Sequence, residues 1–249
     1  MSLKSVVITG GNRGIGRAIT KAFVDAGYYV VVGARNEMDL KLKFGDQIVF
    51  VKVDVRVEQS HQLLVESAMK KTGKLDVYIN NAGFSAWCPI SEIDDAFFDN
   101  LINTNLKGAF WGCKAAAEVM NEGSSIINIS SIAGKRGSAN NSVYCASKFG
   151  MNGLTQALAK ELGPKGIRVN ALCPVLIPTA GLIEALKGPF SPANNDPDGF
   201  IKQFTSVNAA LGHLPTGEEV ASFCLNIVSD SSSALTGQCI NIDCGVFPQ

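Results

Sequence analysis

A tyrosine, a lysine and a serine carry the clearest chemical signal in this chain. Tyr144 and Lys148 stand four residues apart in the run Tyr-Cys-Ala-Ser-Lys, a spacing that places both side chains on one face of a helix. A phenol beside an ammonium favours the phenolate and can exchange a proton nearer neutral pH. Ser131 follows the strand-like run 126–130, thirteen residues before the tyrosine. Its hydroxyl can polarise a carbonyl group held against the phenol.

A glycine-rich segment near the start of the chain predicts a dinucleotide site. Residues 9–16, Thr-Gly-Gly-Asn-Arg-Gly-Ile-Gly, follow the first predicted strand and open the first predicted helix. Glycines let the backbone turn tightly and approach a pyrophosphate, whose charge is favoured at a helix N-terminus. The candidate cofactor-binding residues of this loop are Gly10, Asn12, Arg13, Gly14, Ile15 and Gly16. Together with the tyrosine and lysine, the loop indicates a redox enzyme.

The end of the second predicted strand favours NADP over NAD. A carboxylate there would bind the ribose hydroxyls of NAD, but the strand ends at Ala34 and Arg35 follows. Arginine suits a 2′-phosphate because its guanidinium forms charge-assisted bonds, and Arg13 can add a second cation. The alternative is that Glu37 serves NAD, although it falls after the strand, in the first turn of the next predicted helix.

Composition describes a well-cored globular protein with no charge bias. Of 249 residues, 46% are hydrophobic and 18% are charged, with 22 basic and 22 acidic side chains. Because positive and negative side chains are equal in number, the composition does not indicate binding to nucleic acid or to an anionic membrane. No apolar run reaches the ~20 residues of a membrane span, and a strand follows Met-Ser-Leu-Lys at once, leaving no room for a signal peptide. We expect a soluble, cytoplasmic protein.

The cysteines do not predict a metal site. There are seven of them, none in a Cys-x-x-Cys pair, and only two histidines, His61 and His213, far apart in sequence. Most of the cysteines lie in apolar runs, where small thiols are ordinary core residues. Cys88 and Cys145 are the exceptions, because each lies beside a functional motif.

Apolar runs alternate with helix-like stretches along the whole chain. Strands are predicted at Ser5–Thr9, Tyr28–Gly33, Ile48–Val53, Leu75–Ile79, Ser125–Ser130, Arg168–Cys173 and Gln238–Ile242. Helices include Gly16–Ala26, Gln59–Lys71, Phe97–Met120 and Ser142–Leu162. Continuously hydrophobic strands are typical of a parallel sheet covered on both faces. The alternation predicts the α/β class, a Rossmann-like doubly wound parallel sheet in a single domain, 1–249.

Residues 174–215 depart from this alternation. Six prolines and the run Asn-Asn-Asp-Pro-Asp-Gly lie in this stretch, with short helical pieces predicted at Leu182–Lys187 and Gly199–Asn208. An excursion of this length is typical of an active-site lid or of a disordered segment. Phe190, Phe200 and Phe204 favour the lid, because disordered segments contain few aromatic residues.

The chain resembles the short-chain dehydrogenase/reductase family. The resemblance rests on Thr9-Gly-x-x-x-Gly14-x-Gly16, Asp54-Val55, Asn80-Asn81-Ala82-Gly83, Asn105, Ser131 and Tyr144-x-x-x-Lys148, in family order. It implies a seven-stranded parallel sheet, Tyr144 as general acid/base, and Ser131 as the hydroxyl that polarises the carbonyl. It further implies that Lys148 lowers the tyrosine pKa and binds the nicotinamide ribose, and that Asn105 holds a water in a proton relay.

The resemblance also implies further cofactor contacts. Asp54 and Val55 would lie at the adenine, while Asn81, Ala82 and Gly83 would line the adenosine ribose and stabilise the sheet; a plain turn is the alternative for the last three. Pro174, Ile177 and Thr179 stand where the family contacts the carboxamide and phosphate. Here the chain departs from the usual Asn-Pro-Gly, because Val175 replaces the glycine and Pro178 follows. Both changes are expected to restrict the backbone.

The predicted reaction is reversible reduction of a small or medium carbonyl compound with NADPH. A 3-oxoacyl thioester on a carrier protein is an alternative. Family members of that type usually present basic residues in the corresponding stretch to bind the acidic carrier, whereas residues 115–122 of this chain are acidic. The alternative is therefore disfavoured. A non-catalytic NADP-binding sensor is the second alternative. The family implies a homodimer or homotetramer formed through helices 97–120 and 142–162, whose apolar residues lie on more than one face.

Overall fold

The computed structural model of the protein describes residues 3–37 and 44–248. The strands within these ranges are β1 Ser5–Thr9, β2 Tyr29–Ala34, β3 Ile48–Lys52, β4 Val77–Asn80, β5 Ser125–Ile129, β6 Arg168–Pro174 and β7 Cys239–Ile242. They form one parallel sheet in the order β3-β2-β1-β4-β5-β6-β7. The predicted doubly wound sheet is confirmed, and the strand ends differ from the prediction by two residues at most.

Helices cover both faces of the sheet. In the described part of the chain they are α1 Gly14–Asp25, α2 Glu58–Thr72, α3 Asp95–Ile102, α4 Gly108–Val119, α5 Ser142–Leu162, α6 Ala180–Leu186, α7 Pro197–Asn208 and α8 Gly217–Val228. Phe23 of α1 and Cys224 of α8 lie in the core on one face. Leu64 of α2, Ala116 of α4 and Leu162 of α5 lie in the core on the other. Every residue of β1 and β5 is buried, as continuous apolar runs predict.

The sheet opens a crevice between β1 and β4. β1 pairs with β2 on one side and with β4 on the other, so the winding direction reverses between these two neighbours. Ligands of open α/β sheets bind at such a reversal, beyond the carboxyl ends of the strands. The glycine loop follows β1 and the Asn81–Gly83 turn follows β4, so both lie at this crevice.

The predicted helix Phe97–Met120 is wrong as a single regular helix. The structure divides it into α3 and α4, joined by a π-helical turn at Asn103–Lys107. Asn105 lies in that turn, fully buried, with its amide bonded to backbone outside the helix. A π turn inserts one extra residue, and such turns occur frequently at functional sites.

Residues 174–215 contain the two predicted short helices, α6 and α7. Each begins two residues before its predicted start. Thr179 caps α6 by accepting a hydrogen bond from the Leu182 N–H, and Asp196 caps α7 by accepting one from the Gly199 N–H. The segment is therefore ordered, although it contains little core.

Candidate active site

Tyr144, Lys148 and Ser131 meet at the carboxyl end of β5. The Ser131 hydroxyl lies close enough to the Tyr144 phenol to act on its pKa. Lys148 is buried, and its Nζ lies 5.8 Å from the centroid of the Tyr144 ring. The same Nζ donates a 2.8 Å hydrogen bond to the carbonyl oxygen of Ile129. The structure thus brings together the three residues on which the predicted chemistry depends.

The two neighbouring serines have different surroundings. Ser131 caps the short 3₁₀ turn Ile132–Gly134, where its Oγ accepts a 3.1 Å hydrogen bond from the Ala133 N–H. Ser130 is buried, and its Oγ donates to the carbonyl oxygen of Lys148 at 3.4 Å. Of the two, only Ser131 is both partly exposed and close enough to act on the pKa of the phenol, as the spacing to Tyr144 predicts.

The pKa of Tyr144 moves in the opposite direction from the prediction, which concerned the phenol alone. Burial raises the pKa of Tyr144 to about 12, and the nearby Ser131 hydroxyl opposes this only in part. Burial lowers the pKa of Lys148 to about 8. The expected lowering of the tyrosine pKa is absent because burial outweighs the effect of Ser131, and the Lys148 Nζ donates to the Ile129 carbonyl oxygen. At neutral pH the phenol is therefore protonated and able to donate a proton.

Replacing Lys148 by methionine is expected to stabilise the fold. The lowered pKa of Lys148, about 8 in the folded protein, means that the buried ammonium costs stability below pH 8. We expect a gain of about 2 kcal/mol in unfolding free energy at pH 7, after subtracting the lost bond to Ile129. The gain should shrink as pH rises from about 8 towards about 10.4, where the unfolded lysine also loses its proton. Denaturant titrations at several pH values check this, and a constant difference would contradict it.

Asn105 is fixed by the chain segment that follows β4. Its Oδ1 accepts a 3.0 Å hydrogen bond from the Phe84 N–H, and its Nδ2 donates a 2.8 Å bond to the Phe84 carbonyl oxygen. Nδ2 also lies 3.3 Å from the Ser147 Oγ. A Cβ atom on Gly83 would lie 3.0 Å from Asn105 Oδ1 and 3.9 Å from Lys148 Nζ. Asn105 is therefore close to Lys148, and it lies within the helix distortion.

Asn81 and Thr9 tie the glycine loop to β4. The Asn81 Nδ2 donates to the carbonyl oxygens of Thr9 and Gly10 at 2.9 and 3.2 Å. The Thr9 Oγ1 accepts hydrogen bonds from the backbone N–H groups of Asn81 and Ala82 at 3.0 and 3.1 Å. Asn81 and Ala82 therefore stabilise the loop and the adjoining strands, one of the two roles expected for them.

The first turn of α1 is suited to an anion. Its N-cap residue, Arg13, makes no side-chain hydrogen bond to the first turn, which contains no acidic residue. The free N–H groups at such a helix end attract phosphate. Thr179 lies opposite, with its Cγ2 3.5 Å from the position that a Gly14 Cβ would take. Residues from two distant segments thus meet where a pyrophosphate would bind.

Two arginine side chains, Arg35 and Arg56, lie near Asp54 at the end of β2. Arg35 is exposed beyond Ala34, the last residue of β2. Arg56 lies across the Asp54 carboxylate, its Nε 3.0 Å from both carboxylate oxygens. Hydrogen bonds from Arg56 hold the pKa of Asp54 below its usual range, with a further contribution from the charge of Arg35. The sequence prediction missed Arg56, although its place two residues after Asp54 is a usable signal.

Other predicted residues fall in the same region. Asn12 is buried, and its Nδ2 donates a 2.7 Å hydrogen bond to the carbonyl oxygen of Asn36, joining the glycine loop to the end of β2. Ile15 packs against the core below the loop. Glu37 is exposed and lies beyond the end of β2; the helix expected to include it would extend into residues 38–43, outside the described residues.

His61 supports the predicted adenine end and was not selected from the sequence. Its Nε2 lies 2.8 Å from the Val55 carbonyl oxygen, and its Nδ1 lies 2.7 Å from the Tyr78 hydroxyl. Because a carbonyl only accepts, Nε2 carries the proton and Tyr78 donates to Nδ1. Burial lowers the pKa of His61, which keeps the ring neutral and holds the backbone of Val55 in place.

Comparison with known proteins gives this geometry a family context. Residues 10–247 match the family model described as enoyl-(acyl carrier protein) reductase. The 3-oxoacyl-(acyl-carrier-protein) reductase FabG of Chlamydia muridarum is 34% identical, over 98% of this chain and 97% of that protein. The chain belongs to the short-chain dehydrogenase/reductase family.

Solved structures of the family agree with the fold. A short-chain dehydrogenase/reductase of Brucella melitensis, titled glucose/ribitol dehydrogenase, is 30% identical with a TM-score of 0.90, and the match covers 100% of both chains. An actinorhodin polyketide ketoreductase variant solved with NADPH is 27% identical with a TM-score of 0.87, over 99% of both chains. The parallel sheet and the helices on both faces are thus those of short-chain dehydrogenases/reductases.

The departure from the family's Asn-Pro-Gly causes no backbone strain. Among the described non-glycine residues, positive φ occurs only at Asn140, Asn194, Asn195 and Cys244. Val175 is therefore outside the left-handed region, and its side chain is buried. Pro174 ends β6, and Ile177 is buried against the core. The expected restriction at Val175 is compatible with an ordinary strand end.

Residues 3–37 and 44–248 contain neither a cluster of metal-ligating side chains nor a membrane-spanning helix. No three His, Cys, Asp or Glu side chains there come close enough together to hold a metal ion. No helix in these ranges is long and apolar enough to cross a membrane.

Proposed function

We propose that this short-chain dehydrogenase/reductase interconverts a carbonyl compound and its alcohol with NADP(H), with Tyr144 as general acid/base. The observation that carries the proposal is that the Ser131 hydroxyl lies close enough to act on the pKa of the Tyr144 phenol, with Lys148 buried beside the ring. A bound nicotinamide supplies or accepts the hydride. In reduction, Ser131 donates a hydrogen bond to the carbonyl oxygen and Tyr144 donates its proton to the same atom.

The other site residues support this proton transfer. Lys148 is the residue proposed to bind the nicotinamide ribose and to restore the tyrosine proton, with Asn105 holding a water on that route. Asp54 and Val55 are proposed to lie at the adenine, and Pro174, Ile177 and Thr179 at the carboxamide and phosphate. NADPH oxidation over a panel of ketones and aldehydes tests the proposal; binding of NADPH without turnover of any substrate would favour the sensor alternative.

The NADP preference is supported by charge at the end of β2. Arg35 is exposed there, and the nearby Asp54 carboxylate is already paired with Arg56, so it does not repel a 2′-phosphate as a free carboxylate would. The ketoreductase structure with NADPH is in keeping with this choice. NAD, held by Glu37, is the alternative.

A 3-oxoacyl thioester remains the alternative substrate class, favoured by the name of the Chlamydia relative. Glu118 and Glu122 are exposed near the end of α4, and an acidic carrier protein would be repelled there. We therefore propose a free carbonyl substrate. The comparison that decides is kcat/KM for one 3-oxoacyl group presented as a small thioester and on the carrier protein, because a strong carrier preference would reverse the assignment.

We further propose that residues 1–249 act as a single domain in the cytoplasm, with residues 174–215 as a substrate lid. In this lid Phe200 and Phe204 lie with ring centroids 6.0 Å apart, and Phe190 is partly exposed. The aromatic residues favour a partly apolar substrate.

The protein is expected to be a homodimer or homotetramer. Phe98 of α3, Phe110 of α4 and Phe149 of α5 are 45–48% exposed, and they lie on the helices proposed as the contact. Large exposed aromatics are typical of surfaces that another subunit covers. Light scattering at micromolar concentration should give two or four times the chain mass of 26.3 kDa, and Phe110→Glu with Phe149→Glu should lower it. A monomer mass for the unmodified protein would contradict the expectation.

A further inference from the structure

A small apolar cluster joins separate parts of the chain next to Ser131. Its buried members are Ile132, Val175 and Val246, which are 7–8% exposed. Ile132 directly follows Ser131, Val175 directly follows β6, and Val246 follows β7. We call these three residues the Val246 cluster. It is separate from the two large cores that cover the sheet.

Helix α7 and the residues after it pack on this cluster. Phe204 of α7, then Ala209 and Leu214, lie against it and are partly buried. No residue of α7 is fully buried, and Phe204 is the residue of α7 that lies against this cluster. The Val246 cluster therefore connects α7 to the turn that begins at Ser131.

Hydrogen bonds made by residues 243–247, the tail that follows β7, hold Val246 in place. The Asp243 carboxylate, itself buried, accepts hydrogen bonds from the N–H groups of Gly245 and Phe247 at 3.1 and 2.8 Å. The Asn241 Nδ2 donates a 2.8 Å bond to the Phe247 carbonyl oxygen. These bonds fold residues 243–247 into a tight turn, which directs Val246 into the cluster.

The same turn contacts the chain immediately after α7. The Leu211 N–H donates a 3.1 Å hydrogen bond to the Cys244 carbonyl oxygen. Gly245 has a φ of +79°, and a Cβ there would lie 2.6 Å from the Ala210 Cβ. A glycine is thus required both by the backbone conformation and by the close approach.

The cluster also gives a role to the unusual Val175. A glycine at this position would have no side chain for the cluster, whereas the valine is 7% exposed within it. The Val175 N–H continues the pairing with β7 by donating to the Ile242 carbonyl oxygen at 3.2 Å. The Val175 side chain, at the end of β6, therefore belongs to the cluster against which Phe204 of α7 packs.

We propose that the Val246 cluster sets the position of α7 relative to Ser131, so that Val175 and Val246 are positioning residues for the carbonyl substrate and not for the cofactor. The proposal rests on the proposed function, because it takes residues 174–215 as the substrate lid. It adds that the tail after β7 supports this lid from within the same chain.

The test compares three variants. Val246→Ala and Val175→Ala each remove two methyl groups from the cluster, and Val207→Ala makes the same change on the solvent side of α7, where Val207 is 74% exposed. We expect the first two to raise KM for the carbonyl substrate about fivefold to tenfold, because the competent lid position is populated less. NADPH affinity, measured by fluorescence, should change less than about twofold by the same argument. Val207→Ala should change neither quantity.

Hydrogen exchange supplies a readout that does not depend on turnover. Amides of α7 should exchange faster in the cluster variants than in Val207→Ala, while amides of β1 and α1 should not change. Unchanged exchange in α7 and unchanged KM in both cluster variants would overturn the proposal. If the unmodified protein reduces no carbonyl compound, the proposed function fails instead, and faster exchange in α7 would still show that the cluster positions this helix.

Discussion

Replacing Tyr144 by phenylalanine is expected to lower kcat about 10²–10⁴-fold, the usual contribution of general acid catalysis. The phenylalanine ring keeps the packing of the tyrosine, but no hydroxyl remains to donate a proton. NADPH affinity should stay nearly the same, because the hydroxyl acts on the substrate oxygen. Single-turnover kinetics with NADPH and the best substrate measure the loss directly.

Tyr29→Phe provides the matched control. Tyr29 lies on β2, is partly exposed, and stacks under the Lys71 ammonium at 5.8 Å. The same removal of one hydroxyl there should leave kcat unchanged. Near-normal turnover in the Tyr144 variant would rule out the assignment of the general acid, whatever the control shows.

Ala34→Asp combined with Arg35→Ala is expected to reverse the cofactor preference. The new carboxylate would accept hydrogen bonds from the ribose hydroxyls and repel a 2′-phosphate, and the lost guanidinium removes the partner of that phosphate. Two charge-assisted interactions of about 1.5–3 kcal/mol each predict a change of about 10²–10⁴-fold in the ratio of kcat/KM for NADPH to that for NADH.

Arg35→Lys serves as the conservative comparison, since it keeps the charge but loses the fork geometry, and it should retain part of the preference. kcat with saturating cofactor should change little in either variant. An unmodified protein that already prefers NADH would contradict the roles given to Arg13 and Arg35. Glu37→Gln would then identify the carboxylate that binds the ribose.

The strands of the sheet could be predicted from the sequence because each is a continuous run of hydrophobic residues. Continuous apolar runs such as Ser125–Ile129 are buried on both faces, and periodicity alone distinguishes them from exposed strands. The meeting of Tyr144, Lys148 and Ser131 followed from the helical spacing and from the strand end before Ser131. Local pattern thus determined most of the fold and the placement of these three residues.

Features that depend on contacts between distant segments were not predictable. The π turn at Asn105 accompanies hydrogen bonds from its amide to the backbone of Phe84, a contact that no helical periodicity records. The pKa shifts of Tyr144 and Lys148 follow from burial, which overrides the proximity that the sequence predicted. The role proposed for Val246 depends on its packing in one cluster with Ile132 and Val175, which are distant from it in sequence.

The glycine loop has a consequence for judging which relatives of this protein are active enzymes. A Cβ on Gly16 would lie 2.2 Å from the Gly10 carbonyl oxygen, so this glycine is required by the loop's own backbone even when no nucleotide is bound. A descendant that lost catalysis would still need it in order to fold. Retention of Gly16 in a relative therefore indicates the fold, whereas turnover by the proposed mechanism would require the Tyr144 hydroxyl and Ser131.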